Sequence, residues 1–279
     1  MKLKSLFEAG DPEKIATGFE FTEGPVWHPD GLLLFSDIPA GRIYAWTPAG
    51  ATIWREPSGN SNGLVLDSER RLIACEHGNR RVSRTEADGS VVTLADRYEG
   101  KRLNSPNDAV VASDGTIYFT DPPYGIQPEE QEQACNGVYR IRNGGTIERV
   151  FDDFERPNGL AFSPDETVLF VADSRRRHIR AFDHTPDGTL TNSRIICDMD
   201  HPQPGSPDGM TIDMEGRLYV AGATGVWVFE PDGTHLGVIV TPERPSNLAW
   251  GDADHRTLYI TARTSLYRVR ATTPGHVVP

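Results

Sequence analysis

Cysteine is scarce in this chain: 279 residues contain only Cys75, Cys135 and Cys197. They lie far apart, form no C-x-x-C pair and leave an odd one over. That argues against a disulfide framework and against a cysteine zinc site, and it makes a reducing, cytoplasmic setting the expectation. Long apolar runs are missing as well. The start, MKLKSLFEAGDPEK, opens with Lys2 and Lys4 but lacks the apolar stretch of roughly 7–15 residues that a secretory signal carries. No run approaches the roughly 18 apolar residues of a membrane helix, so a soluble, non-exported protein is expected. Positive charge is in deficit, with 28 Lys and Arg against 40 Asp and Glu and a net charge of −12. Nucleic acid and anionic membrane surfaces both require clustered positive charge and are therefore disfavoured as partners.

Chemical motifs are missing too. There is no P-loop, dinucleotide fingerprint, EF-hand or HExxH sequence. GNSNG, from Gly59 to Gly63, fits the G-x-S-x-G pattern, but that nucleophile elbow needs a helix directly behind it. LVLD and RLIACE follow instead, both strand-like, so Ser61 is not expected to be a nucleophile.

What the chain does have is repetition. TEGPVWHPDGLLLFSD from Thr22, SNGLVLDSERRLIACE from Ser61, PNDAVVASDGTIYFTD from Pro106, PNGLAFSPDETVLFVAD from Pro157, PDGMTIDMEGRLYVAG from Pro207 and SNLAWGDADHRTLYITA from Ser246 share one grammar. Each has a polar residue, a small or apolar run, a turn rich in Asp and Gly, and an alternating strand. With Glu23, Asn62, Asn107, Asn158, Asp208 and Asn247 as equivalent positions, the spacings are 39, 45, 51, 50 and 39. Period-two alternation, frequent turn signals and no amphipathic helical run indicate an all-β chain. A period of about 40–50 residues with several short strands per unit indicates a β-propeller with four-stranded blades. Six units predict six blades in a single domain over residues 1–279. EKIATGFEF, before Glu23, resembles a fourth strand, whereas the last unit, ending in SLYRVRA, lacks one. The N-terminal strand is therefore expected to complete the last blade and cover its open edge.

In a propeller the first strand of each blade lines the axis, so the six equivalent residues form a ring at one mouth of the channel. The turns between second and third strands fall on the same face. They include His77, the segment after Asp121, and the arginine run from Arg175 to Arg177. The ring offers two carboxylates and four amides, all oxygen donors, which suits a hard cation such as Ca²⁺ better than zinc. The spacing leaves a second reading open: Asn-Gly, Asp-Gly and Asn-Asp pairs are ordinary turn formers that satisfy backbone groups where blades meet. Asn62 and Asn247 suit that second reading, whereas Glu23 and Asp208 are harder to explain by turn chemistry.

EGPVWHPDGLLLFSD, CEHGNRRVSR, RLNSPNDAVVASDGTIYFTDPPYG, RPNGLAFSPD and SPDGMTIDMEGRLYVA together resemble the family of gluconolactonases, senescence marker protein (regucalcin) and luciferin-regenerating enzyme. The likeness covers essentially the whole chain and is nearest the bacterial gluconolactonase branch, where LNSPND and TDPPYG occur together. The resemblance implies a six-bladed propeller holding one divalent cation, usually Ca²⁺, with Mg²⁺, Mn²⁺ and Zn²⁺ as alternatives. It matches Glu23, Asn158 and Asp208 to metal ligands, and Asn107 to an asparagine that ligates metal or touches substrate. Animal members have an arginine two residues before that asparagine. Here the place is Ser105, which makes Arg102 and Asn104 the candidates for the missing substrate contact.

The activity expected from the resemblance is hydrolysis of a sugar lactone to its aldonic acid. The cation would polarise the carbonyl, Asp208 would take the proton of the attacking water, and Asn107 would orient the substrate. His77, Asp121 and Tyr124 are further candidates for substrate contact. Tyr124 belongs to the long segment Pro122–Gly137, which forms either a wall over the mouth or a solvated loop. The alternatives are other lactones or phosphate esters at the same site, or a non-catalytic binding propeller. Both a monomer and a homodimer are compatible with the sequence.

Overall fold

The computed structural model describes residues 3–8, 10–142 and 144–277. Six four-stranded antiparallel sheets form the blades of a propeller. Blade 1 runs through Thr22–His28, Leu32–Asp37, Arg42–Thr47 and Gly50–Arg55, and the following blades repeat this order outward from the axis. The last blade is composite. Pro245–Gly251, Thr257–Ala262 and Ser265–Arg270 are completed by Glu13–Thr17, which pairs antiparallel with Ser265–Arg270. The N-terminal strand therefore closes the circle as its sequence indicated. Around it, Phe7 bridges Ala271, and the Thr272 N–H donates to the Leu6 carbonyl at 2.8 Å.

The first hairpin of every blade turns through a residue in the left-handed region. Gly31, Gly115 and Gly216 serve at φ of 85°, 84° and 81°, where a residue without Cβ suffers no clash. Arg70, Glu166 and His255 take the equivalent turns at 63°, 55° and 53°, so half of the hairpins tolerate a side chain in a disfavoured conformation.

Period-two alternation turns into packing between blades. Along Leu32–Asp37, Leu33 and Phe35 face blade 6, where they meet Ala249, Tyr259 and Leu266, while Leu34 faces blade 2 and meets Leu64, Leu72 and Ala74. The same division recurs at every seam, which places an apolar cluster between each pair of neighbouring blades. Each second strand is buried on both faces and reads as a nearly continuous apolar run. Outer strands such as Gly50–Arg55 stay largely exposed.

All three cysteines are free, two of them buried. Ser61 lies within the strand Ser61–Leu66, its Oγ 2.8 Å from the Ser36 Oγ, with strand Leu72–Glu76 next in the chain. This is not the geometry of a nucleophile elbow. A two-residue hairpin, Arg97–Tyr98 with Lys101–Arg102, is inserted before blade 3.

Closure through the N-terminal strand has a measurable consequence. Ile15 and Phe19 pack into the seam between blades 6 and 1, with the Phe19 ring 4.9 Å from that of Phe35 and 5.1 Å from that of Tyr44. Deleting residues 1–20 removes both side chains, at about 1.5–3 kcal/mol each, and bares the edge of Ser265–Arg270. The truncated chain is expected to melt well below the full chain or to aggregate. An unchanged melting midpoint would contradict this closure.

Candidate active site

The polar residue that defines the repeat lies at the mouth end of each inner strand. It falls inside the strand at Glu23, Asn62, Asn158 and Asn247 and just before it at Asn107 and Asp208. In three blades a buried carboxylate positions it. Asp37, Asp121 and Asp173 end the second strands of blades 1, 3 and 4, all almost fully enclosed. Asp37 accepts the backbone N–H groups of Glu20 and Phe21 at 3.1 and 3.0 Å. Asp121 accepts those of Asn104 and Ser105 at 2.7 and 2.8 Å, and Asp173 those of Glu155 and Arg156 at 2.9 and 3.1 Å. In each case the paired donors lie three and two residues before the ring residue: Glu23, Asn107 or Asn158. Charge-assisted bonds to two consecutive N–H groups make this a stiff clamp.

Asp121, a candidate for substrate contact, is fully buried and has both carboxyl oxygens engaged in this framework. Burial pushes its carboxyl up to about 7, against the two backbone donors and the Arg80 charge. Asn104 is also enclosed and commits its Nδ2 to the carbonyls of Asp121 and Cys135. Arg102 sits at the rim, with its guanidinium on the Asn79 carbonyl at 3.2 Å.

Blades meet around the axis so closely that the residue after the ring position is constrained. A Cβ on Gly159 would lie 2.5 Å from the Asp208 carbonyl oxygen, and one on Gly24 would lie 2.0 Å from that of Asn62. Glycine in these pairs serves close approach of neighbouring strands, not a hairpin turn. Two units depart from this: the sixth has Leu248 in the glycine's place, and the third has Asp108. Its Oδ2 accepts from Asn247 Nδ2 at 3.1 Å and its Oδ1 from the Ala109 N–H at 3.0 Å. Asn247 is fully committed, because its Oδ1 accepts the Leu248 N–H at 2.8 Å.

Three carboxylates thus converge near the axis. Glu23 is held well above the ordinary glutamate range by burial and by the charges of Asp208 and Asp108. Burial pushes Asp108 up to about 7, against its hydrogen bonds from Ala109 and Asn247. Loss of water, together with Asp108, raises Asp208 to about 7 as well, although Asn158, Arg244 and Arg263 act in the other direction. Asn158 donates its Nδ2 to Ser174 Oγ at 3.0 Å and more distantly to Tyr124 Oη at 3.4 Å, and Ser174 is anchored to the Pro207 carbonyl at 2.6 Å.

Glu23, Asp108 and Asp208 form none of the chain's salt bridges among the described residues. Buried like charges without a counter-ion are costly, and a divalent cation removes that cost. No three Asp, Glu, His or Cys side chains are grouped to hold an ion by themselves among the described residues. Amide oxygens from Asn158 and Asn107 would therefore have to complete the set, and a mixed carboxylate and amide shell fits a hard cation.

The wall of the mouth comes from the long third-blade segment. Tyr124 is two-fifths exposed, with the Arg156 guanidinium 5.4 Å from its ring centre. The Gly125 N–H donates to Ser105 Oγ at 3.1 Å, and the same glycine packs against His77. His77 Nε2 lies 3.3 Å from Asn62 Nδ2, and burial lowers its pKa to about 4, so it is a neutral acceptor at this contact. The run Arg175–Arg177 is tied to acidic neighbours, among them Glu155, Asp153 and Asp200. Behind the ring lies a separate cavity of about 630 Å³, lined by Trp27, Leu64, Phe162, Ile212 and Trp250. Asp108 and Asn247 reach it, whereas Glu23, Asn158 and Asp208 do not.

Comparison with known proteins agrees with this architecture. The profile described as SMP-30/gluconolactonase/LRE-like region matches residues 21–264. A gluconolactonase of Zymomonas mobilis is 36% identical over 98% of this chain and 85% of its own. The pentonolactonase XacC of Haloferax volcanii is 30% identical over 88% of this chain and 83% of its own. The solved structure of a gluconolactonase from Xanthomonas campestris superposes with a TM-score of 0.86 at 35% identity, covering 95% of this chain and 96% of that one.

Two substitutions test the framework. Asp173→Asn turns an NH₂ group toward a backbone N–H, and leaving that donor unsatisfied should cost about 1–3 kcal/mol in urea unfolding. A loss below a few tenths would show that the clamp is dispensable. Glu76 ends the second strand of blade 2 and is fully buried. Burial raises its pKa, but bonds from Arg81, Ser83 and Asn79 and the Arg55 charge prevail and leave it lowered. Its folded pKa lies below its unfolded one, so its stabilisation is complete above the ordinary glutamate range and is lost as pH falls through the folded value. Glu76→Gln should flatten the acid limb of a plot of Tm against pH; a limb of unchanged steepness would count against this.

Proposed function

The chain belongs to the SMP-30/gluconolactonase/LRE-like family, and we propose that it is a lactone hydrolase that opens a sugar lactone of the gluconolactone type to its aldonic acid at the channel mouth. What supports this is the closeness of Glu23, Asp208 and Asn158 at one end of the axis, with Asn107 at the equivalent position of the third blade, in a chain similar over nearly its whole length to named lactonases. A five-carbon lactone falls within the same proposal, because one of those relatives is named a pentonolactonase.

Glu23, Asn158, Asp208 and Asn107 would hold one divalent cation through oxygen, and an all-oxygen donor set favours Ca²⁺ over zinc. Once bound, such an ion supplies Lewis acidity toward the lactone carbonyl.

The remaining work falls to the chain's own groups. Asp208 is the base: it accepts a proton from the water whose oxygen bonds to the carbonyl carbon. It then returns that proton to the ring oxygen as the ester C–O bond breaks. Its partly exposed position at the mouth leaves it reachable by water. Asn107 orients the sugar through its amide. Tyr124 Oη, within 3.4 Å of Asn158 Nδ2, suits a sugar hydroxyl, His77 is a further candidate for substrate contact, and the Pro122–Gly137 segment would narrow the access of bulk water.

The decisive experiment combines metal analysis of the protein as purified with pH-stat hydrolysis of gluconolactone, before and after chelation. One bound divalent ion and activity that disappears with chelator and returns with Ca²⁺ are expected. Asp208→Ala should lose both the ion and about 10³-fold or more of turnover. Undiminished hydrolysis by that variant would remove Asp208 from its role, and a metal-free, chelator-resistant enzyme would remove the cation.

A further inference from the structure

Two arginines on the rim of the mouth lie side by side without an ion pair. Pro245 and Ala262 are partners across the inner hairpin of blade 6. Arg244, which precedes Pro245, and Arg263, which follows Ala262, therefore flank the mouth end of the same strand pair. Both are exposed. The Arg263 carbonyl accepts the Thr22 N–H at 2.7 Å, one residue before Glu23. Ser246, two residues after Arg244, accepts the Gly209 N–H at 2.8 Å, one residue after Asp208. The pair is thus built into the backbone beside both carboxylates proposed to hold the cation.

Neither guanidinium has a carboxylate at salt-bridge distance among the described residues. The acidic neighbour Glu243 is turned away: its oxygens accept from Thr264, Ser265 and Tyr267. Arg263 rests on the Phe21 ring, 5.4 Å from its centre, and the two arginines lie near enough to repel each other. Most other arginines of this strongly acidic chain are matched directly, although Arg102 on the Asn79 carbonyl and Arg156 on the Tyr124 ring also form no salt bridge among the described residues. Arg217 bonds Asp213 at 2.8 Å within the core, and on the mouth face Arg42 bonds Glu56 and Arg177 bonds Asp200. The pair feels the charge of Asp208 but has no direct carboxylate contact, so two adjacent guanidinium groups keep their hydrogen-bond donors open to an anion.

We propose that Arg244 and Arg263 form an anion clamp on the rim, and that the site prefers sugar lactones carrying a second, anionic group, a carboxylate or a phosphate, over neutral lactones. This rests on the lactone hydrolysis proposed above and extends it to the substrate class. The lactone ring meets Asp208 at the mouth while its charged substituent reaches outward to the two guanidinium groups, which suit bidentate contact with carboxylate or phosphate oxygens. The overall negative charge of the chain would repel such a substrate, and the clamp supplies the local attraction that orients it.

The test compares gluconolactone, glucarolactone and phosphogluconolactone as substrates of the native chain, Arg244→Gln and Arg263→Gln. Calorimetric binding of glucarate, phosphogluconate and uncharged glucitol is measured in parallel. At least one anionic lactone should be preferred by about tenfold or more in kcat/KM, and each variant should lose most of that preference through KM. Measured above the Asp208 titration near pH 7, where that base is ionised with or without the two charges, hydrolysis of gluconolactone should change less than about twofold. The carboxylate and phosphate arms identify the favoured group. Equal treatment of neutral and anionic lactones, or equal losses on both in the variants, overturns the clamp while leaving lactone hydrolysis intact. If no lactone is hydrolysed, the lactonase proposal fails, and the binding arm alone decides the clamp. Glucarate or phosphogluconate binding that weakens about tenfold in either variant supports it, and absent or unchanged binding overturns it.

Discussion

A buried carboxylate that accepts two consecutive backbone N–H groups governs how the inner strands reach the axis. Asp37, Asp121 and Asp173 each perform this in their own blade. The bonds span 16 to 18 residues and tie the far end of the second strand to the chain just ahead of the first. Without them the segments before Glu23, Asn107 and Asn158 would carry unsatisfied N–H groups at a crowded channel mouth, which is costly where water is excluded. Glu23, Asn107 and Asn158 owe their position to these clamps, and three of the four proposed cation ligands are thereby fixed.

The mouth concentrates groups that would be unfavourable if folding alone were selected. Glu23, Asp108 and Asp208 gather without a salt bridge, and all three are pushed toward protonation. Elsewhere the chain handles buried acids differently: Asp213 has Arg217, and Glu76 has Arg55 and Arg81. The contrast within one molecule marks the mouth as the place where local stability is given up, as functional sites commonly do. The seams between blades supply the compensation, because each holds a continuous apolar cluster.

Some of this was legible before any coordinates. Recurrence of one polar residue every 39 to 51 positions reveals the number of blades, since a blade cannot bury its faces alone and must repeat. The missing fourth strand of the last unit and the surplus strand at the start point to each other in the same way. Asp121 shows where local pattern stops short. Placed on the mouth face by its turn, it resembles a substrate contact, whereas the same letter at Asp37 and Asp173 was the available sign of a framework role. Asp108 is the opposite case: its meaning lies in being a charged residue where four other units have Gly24, Gly63, Gly159 and Gly209 and the sixth has Leu248.

Alternation, turn residues and repeat length are local properties, so the order of residues by itself determined the strands, the six blades, the closing strand and the ring of oxygen-bearing side chains at one mouth. Which side chains are spent within the framework and which are left to act was decided only in three dimensions. Asn247 is consumed by Asp108 and Leu248, Asp121 by two backbone donors, and Arg244 and Arg263 meet across a hairpin that no spacing rule discloses. Hydrogen bonds and charges between residues far apart in sequence are satisfied by position, and position exists only once the chain has closed on itself.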